Sequence, residues 1–591
     1  GGAGAVPTLR LTGTSTIMNL TQGIMVGANA VLDLRNFTGA TITSQGTLTN
    51  QGTVAAVAAC GNCGTGNVIN ADIINQGTLH SAAMVALGKV NGAVENSGAI
   101  TFGNNGEITI PATAGNPTFS QNGGSITGNG NFTRLNMLAG TFTMNGGKAR
   151  QRLPANKKPV VILDGANLVM TAGATDSAVI GVLARSATTP TIAGDVRALT
   201  TLWLGGSVDG QPGSVAFTGN PTNLGTITTV RQIDTFGGQL TIAGTGRLTN
   251  AGLIDQSLNS GAQAVFTYTI EVTNSGTHKL ATSSGATFSK VGGSYVNTGT
   301  IDMTASVAVL TILGSTLTST GIITGGSVRV DAGGRLKATG SSPTTISPIN
   351  GGVVEPGLSL GLLTVNQFTP ATTGVLRIEL GGATAGTTYD QLDATVVASL
   401  QGTLDVVGVN GFAVGMCGQQ FDVLTHPRAS GYGTFGTING LNPAPGRQLR
   451  VVYINATATT KGIVRLIGFD GASKVCVGQT QTNISEGGAG SQYAIALDHA
   501  PSGSVVVTAT PDAQVTVSPS SLTFTSANWQ MPQFFTVTAV DDAVYEGTHS
   551  GTVTHAVATT DASYQGFVPS PLTESIADND VAGPPPPPPP P

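Results

Sequence analysis

Few residues in this sequence have the type and spacing that chemistry requires, and most lie near its C-terminal end. Four cysteines are present, Cys60 and Cys63 in CGNC, then Cys417 and Cys476. CGNC has the spacing of half a zinc or redox site, but zinc needs four ligands and no second CxxC follows. The pair is read as closing a small loop, and Cys417 with Cys476 as joining neighbouring modules. The six histidines, His80, His278, His426, His499, His549 and His555, show no HExxH spacing and are read as ordinary surface residues. Glu379, Asp390 and Asp393 are grouped acids, read as strand-edge solubility and not as a catalytic pair. The basic run from Lys148 to Lys158, KARQRLPANKK, holds five positive charges and no acid. It reads as a loop that interrupts the surrounding pattern, either solvated or touching acidic glycans or a neighbour's acidic module.

Charge is sparse and unevenly placed. Only 9% of the 591 residues are charged and the net charge is −5, yet Asp470 to Asp580 contains eleven acids and a single Lys474. That segment is therefore near −10 and the remainder near +5, from 24 basic and 19 acidic residues. This balance argues against nucleic-acid binding and fits either a solvated acidic face, bound cations or a basic partner. The longest apolar run, Val307 to Leu313, is broken by Thr311, so no transmembrane helix is expected. The chain begins at Gly1 with no charged and apolar leader, read as either a processed mature protein or a trimmed one, and secretion is expected from composition and not from a visible signal.

The elements that must carry these residues are set by a repeat. Asn-x-Gly-x-apolar recurs as NQGTV from Asn50, NQGTL from Asn75, NSGAI from Asn96, NLGTI from Asn223, NAGLI from Asn250, NSGTH from Asn274 and NTGTI from Asn297, with STGII from Ser319. A period of 21 to 27 residues predicts one coil of a β-solenoid per repeat, each turning through Asn or Gly at positive φ. Stacked coils would pair every backbone group and could align equivalent Asn side chains as ladders. From Leu9 to Leu336 this predicts roughly 14 coils in a rod ~65–70 Å long. The competing reading, an array of β-sandwiches, explains a single recurring turn motif less well.

These repeats resemble the right-handed parallel β-helical passengers of bacterial autotransporters and filamentous-haemagglutinin-like surface proteins. From Gly351 to Ile467 longer strands take over, VVEPGLSLGLLTV, GVLRIELGG, YDQLDA, GTLDVVGV and FDVLTH. They resemble the C-terminal part of such passengers, which closes the helix. Residues 470–583 read as a separate module of about seven short strands, an immunoglobulin-like β-sandwich. ISEGG from Ile484, LTFTSANWQMPQFFTVTAV from Leu522, DDAVYEG from Asp541 and IADND from Ile576 resemble a Calx-beta domain. That resemblance implies a calcium site at one end of the sandwich, and its matches here are Glu486, Asp541, Asp542, Glu546, Asp578 and Asp580, with Asp512 a weaker candidate. Six carboxylates could supply calcium's oxygen ligands and would repel one another without a cation.

Eight prolines, Pro584 to Pro591, form a stiff polyproline II spacer by composition, with an anchor such as a membrane β-barrel expected beyond Pro591 in the precursor. A ligand for a proline-binding domain is the rival reading. The expected organisation is a β-helical rod over 1–350, a cap region over 351–469, the sandwich over 470–583 and the proline linker over 584–591. The expected function is that of a secreted, non-enzymatic bacterial surface protein, a filament subunit associating head to tail or an adhesin for cell-surface glycans. A β-helical polysaccharide lyase or glycosidase is the alternative from another class, disfavoured by sparse acids and by Trp203 and Trp529 falling in different modules. A passive sheath protein is the third.

Overall fold

Strict alternation of apolar and polar residues dictates the basic element. In Asn67–Asn75, NVINADIIN, every second residue is buried, so one face of the strand lines a core and the other faces outward. The computed structural model describes residues 8–10, 17–34, 41–57, 67–104, 106–129, 133–151, 159–171, 177–184, 189–205, 213–229, 240–256, 265–280, 285–304, 308–427, 432–469, 473–479 and 483–581. Cys60, Cys63, most of the basic run and the proline tract lie outside them. The fold is all-β, 61% strand and 1% helix, built on a parallel β-solenoid of about 13 turns. The chain divides into two compact units, residues 1–337 with 342–347, and residues 338–341 with 348–591.

In the first unit, successive coils pair in parallel and in register, so like residues stack into columns. One column runs Leu48, Ile73, Val94, Phe119, Phe142, Leu168, Ile192 and Phe217. The rings of Phe119 and Phe142 stack with centroids 5.2 Å apart. Another column runs Leu202, Ile227, Ile254, His278, Ile301 and Ile323. His278 is thus an interior residue, not a surface one. Its ring lies 3.0 Å from the Tyr295 hydroxyl, 3.3 Å from that of Tyr268 and 3.2 Å from Gln256 Oε1, and burial pushes its pKa down to about 3. His426 and His555 are buried as well, so the expectation of surface histidines fails for three of the six.

The repeat motif is explained by two further observations. Its asparagines are buried and form ladders, Asn50 donating to Asn75 Oδ1 and Asn75 to Asn96 Oδ1, both at 2.6 Å, and Asn96 to Gln121 Oε1 at 2.8 Å. A second ladder runs from Asn223 through Asn250 and Asn274 to Asn297 at 2.6, 2.6 and 2.7 Å, and ends on Ser319 Oγ at 3.0 Å. The Oδ1 atoms of Asn50 and Asn223 head the ladders without a donor, because the preceding coils place Val26 and Val196 there. The motif glycines do not adopt the positive φ expected of them. Glycine is needed because a Cβ on Gly98 or Gly276 would lie 2.1 Å from the carbonyl oxygen of Gly77 or Gly252 one coil below. Lys148, Ala149, Arg150 and Gln151, expected in a loop, belong to the strand Thr141–Gln151 and pair in register with Ser125–Gly128.

In the second unit parallel coils continue, Val353–Pro356 on Val375–Leu380 on Thr403–Gly408, and Leu362–Phe368 on Gln391–Ala398 on Gln420–His426. Stacking then stops, because Gly462–Phe469 pairs antiparallel with Gln420–His426 and with Gln448–Ile454, covering the edge where another coil would add. Asp390 is fully buried here and not at a strand edge, as expected from sequence. It accepts the amides of Gly361 at 2.9 Å and Glu379 at 2.8 Å. Burial, with the nearby Glu379 and Glu355, pushes its pKa up to about 8. Asp393 is ion-paired to Lys461.

Two sheets follow. One contains Val475–Gln479, Ser491–Leu497, Gln533–Ala539 and Val515–Ser518; the other contains Asn483–Ser485, Leu572–Ala577, His549–Thr559, Val505–Pro511 and Ser521–Phe524. Both line one core that includes Tyr493, Ile495, Phe535, Val507, Phe524 and Ile576. Cys417 and Cys476 form a disulfide joining the cap to the first of these strands. Beside it, Arg450 donates to Leu497 O and, at 3.0 Å, to Gln530 O, with its guanidinium 4.6 Å above Trp529.

Candidate metal centre

At one end of these two sheets, the chain brings acids together from three places. Asn483–Ser485 pairs in parallel with Leu572–Ala577, which sets Glu486 beside Ala577, and the Glu486 amide donates to Ala577 O at 3.1 Å. The antiparallel neighbour of Leu572–Ala577 is His549–Thr559, so the loop before His549 closes over the same end. The parallel and antiparallel pairings together converge residues that are 93 positions apart in sequence.

Within this end, the oxygens of Glu486, Asp578 and Asp580 approach within 4.8 Å of one another, and so do ligand atoms of Glu486, Glu546 and His549. The Glu486 side chain is 1% exposed, and its Oε2 has no hydrogen-bond partner among the described residues. Asp580 Oδ2 is likewise buried and unpartnered. Burial, then the neighbouring carboxylates, Asp578 first, push the carboxyls of both Glu486 and Asp580 above their ordinary values. An isolated buried carboxylate is costly in a low dielectric and is relieved by a proton or a cation.

Asp578 has a different part. Its Oδ2 accepts the amides of Glu546 and Gly547 and its Oδ1 that of Asp580 at 2.7 Å, and these backbone donors hold its carboxyl below the ordinary value. It ties the loop to the terminal acids. Asp541 is exposed and accepts Asn579 Nδ2 at 3.0 Å, while the same amide reaches Glu486 O at 3.2 Å. Asn579, which interrupts the final acids in sequence, is therefore a strut between two of the candidate ligands. Asp542 accepts the Val544 amide on Oδ1 at 2.8 Å and faces solvent. Asp512 binds the Thr552 amide at 2.6 Å and serves a turn.

All six predicted residues are thus found around this end, with Glu486, Asp578 and Asp580 closest together and Asp541 and Asp542 at the exposed rim. Sequence reasoning missed His549. The spacing Glu546 to His549 could have flagged it, but only the sheet pairing shows that both side chains meet Glu486.

No known protein family matches the chain, and no curated protein is significantly similar to it. Among solved structures, the crystal structure of the periplasmic chaperone SfaE aligns at 14% identity with a TM-score of 0.15, over 19% of this chain and 60% of the chaperone.

Proposed function

We propose that this chain is a secreted, non-enzymatic bacterial surface protein, a structural filament subunit or an adhesin, whose Calx-beta-like C-terminal module is stabilised by calcium. The observation that carries the calcium reading is the buried, unpartnered Glu486 carboxylate beside Asp578 and Asp580. Oxygen ligands from short loops are what calcium takes, at ~2.3–2.6 Å in six- to eight-fold coordination, and Asp541 and Asp542 at the rim can complete such a set.

The mechanical part of the reading draws on the solenoid. Its strands are hydrogen-bonded to the coils before and after, and its two asparagine ladders each tie several successive coils together. Such a body resists pulling and proteolysis, and it displays side chains without needing a catalytic centre. The opposite charges of body and C-terminal module favour head-to-tail contacts between copies.

Thermal unfolding of the chelator-treated chain with added calcium tests the first half. Calcium at 100-fold its Kd contributes about 2.7 kcal/mol, and Glu486→Gln should abolish the gain. An unchanged melting temperature with calcium rejects a calcium-stabilised module. Electron microscopy of the same samples tests assembly. Filaments that dissolve on chelation identify a calcium-dependent subunit, whereas single particles in both conditions leave the adhesin reading.

A further inference from the structure

The imidazole in the metal centre separates one half of it from the calcium chemistry. His549 Nδ1 lies 2.9 Å from Gly547 O, and a carbonyl oxygen can only accept, so the ring proton sits on Nδ1. Nε2 is the ring nitrogen left to meet the acids. That nitrogen is buried and has no hydrogen-bond partner among the described residues, and it faces Glu546 Oε2 at 3.4 Å and Glu486 Oε1 at 3.7 Å. Two carboxylates turned toward one buried ring nitrogen call for a positive charge between them, which a proton on that nitrogen or a bound cation supplies.

We propose that Glu486, Glu546 and His549 form a second cation site, for a borderline divalent transition metal of the zinc type. Calcium is a hard ion that takes oxygen and leaves imidazole alone, whereas zinc takes imidazole and carboxylate together. Spacing agrees with that choice. Ligand atoms about 2.0–2.2 Å from a tetrahedral ion lie about 3.3–3.6 Å apart, close to the observed 3.4 and 3.7 Å. Three protein ligands leave a fourth position for water or for a side chain of a neighbouring copy.

The surroundings orient the ligands as metal sites require. Gly547 O fixes the tautomer of His549, and Gln514 Nε2 reaches both oxygens of Glu546 at 3.0 and 3.1 Å. Asp578 fixes both of these residues by accepting the amides of Glu546 and Gly547. Glu486 contributes the charge that needs neutralising, since its side chain is 1% exposed and keeps one oxygen unpartnered. The site shares Glu486 and Glu546 with the residues matched to calcium but does not depend on that reading, because His549 is its own.

The test is calorimetric titration of the full, metal-stripped chain with zinc alone, alongside the calcium melting experiment. One saturable zinc equivalent is expected. Affinity should fall at least tenfold in both His549→Gln and Glu546→Gln, while His549→Gln keeps its response to calcium. Glu546 is exposed, so its variant reports on zinc even if the histidine variant folds poorly. No zinc binding by the native chain, or binding that both variants retain, overturns the proposal. Failure of the calcium response with zinc binding intact instead removes the calcium reading and leaves this one standing.

Discussion

Replacing Asn274 by Ala should destabilise the solenoid far more than the same change at the head of its ladder. Asn274 accepts from Asn250 at 2.6 Å and donates to Asn297 Oδ1 at 2.7 Å and to Thr300 O at 3.1 Å, all in a dry interior. Truncation leaves an N–H of Asn250 and the Oδ1 of Asn297 buried without partners, at ~1–3 kcal/mol each, for a cost of about 3–4 kcal/mol. Asn223 differs because its own Oδ1 already lacks a donor. Its removal strands Asn250 Oδ1 but relieves one unsatisfied acceptor, so about 1–2 kcal/mol is expected. Asn274→Asp keeps the shape but puts an anion against two carbonyl acceptors, and should be the worst of the three. Repeat arrays need not unfold in one step, so the assay is native-state hydrogen exchange at Glu271–Asn274 and Ser294–Asn297. For Asn274→Ala, exchange should accelerate roughly 100- to 1000-fold, since each 1.4 kcal/mol is about tenfold. Equal acceleration in Asn223→Ala and Asn274→Ala would refute the idea that the ladder's direction and continuity carry the energy.

Two other predictions follow from the packing and the charges. Gly276→Ala drives a methyl to 2.1 Å from Gly252 O and should block coil stacking, read as lost soluble yield or accelerated exchange in both coils. Gly292→Ala is the control, since its φ is +67° with nothing within 4 Å, and should cost only about 1–2 kcal/mol. The pH response should run in opposite directions in the two units. His278 titrates near 3 when folded and near 6.5 when unfolded, so its contribution is complete above about 6.5 and is lost as the pH falls toward 3, by up to about 5 kcal/mol. Asp390 titrates near 8 when folded, so its contribution is complete below about 4 and fades as the pH rises to 8, by at most about 6 kcal/mol. Calorimetric melting from pH 4 to 8 should lose the acid-side slope in His278→Leu and the alkaline-side slope in Asp390→Asn. Unchanged slopes would show that other groups dominate.

The periodicity of NQGTV, NSGAI and NTGTI determined the solenoid, because a fixed repeat of short alternating strands has few ways to bury its apolar face except against its own neighbours. The strands of the C-terminal module were equally legible, since strand pattern and turn residues are local properties. The reason for the motif glycines was not. A sequence shows that glycine is required and leaves open whether the cause is φ or close approach, and only the 2.1 Å gap to the coil below decides it. The interior positions of His278 and Asp390 were also hidden, because a polar residue in an alternating strand looks the same whether it faces solvent or finds partners from other coils. His549 joined Glu486 and Glu546 only once sheet pairing across 63 positions had been fixed. Local chemistry is written in order along the chain. Contact between distant side chains depends on register, which is set by the summed packing of all the strands and not by any single motif.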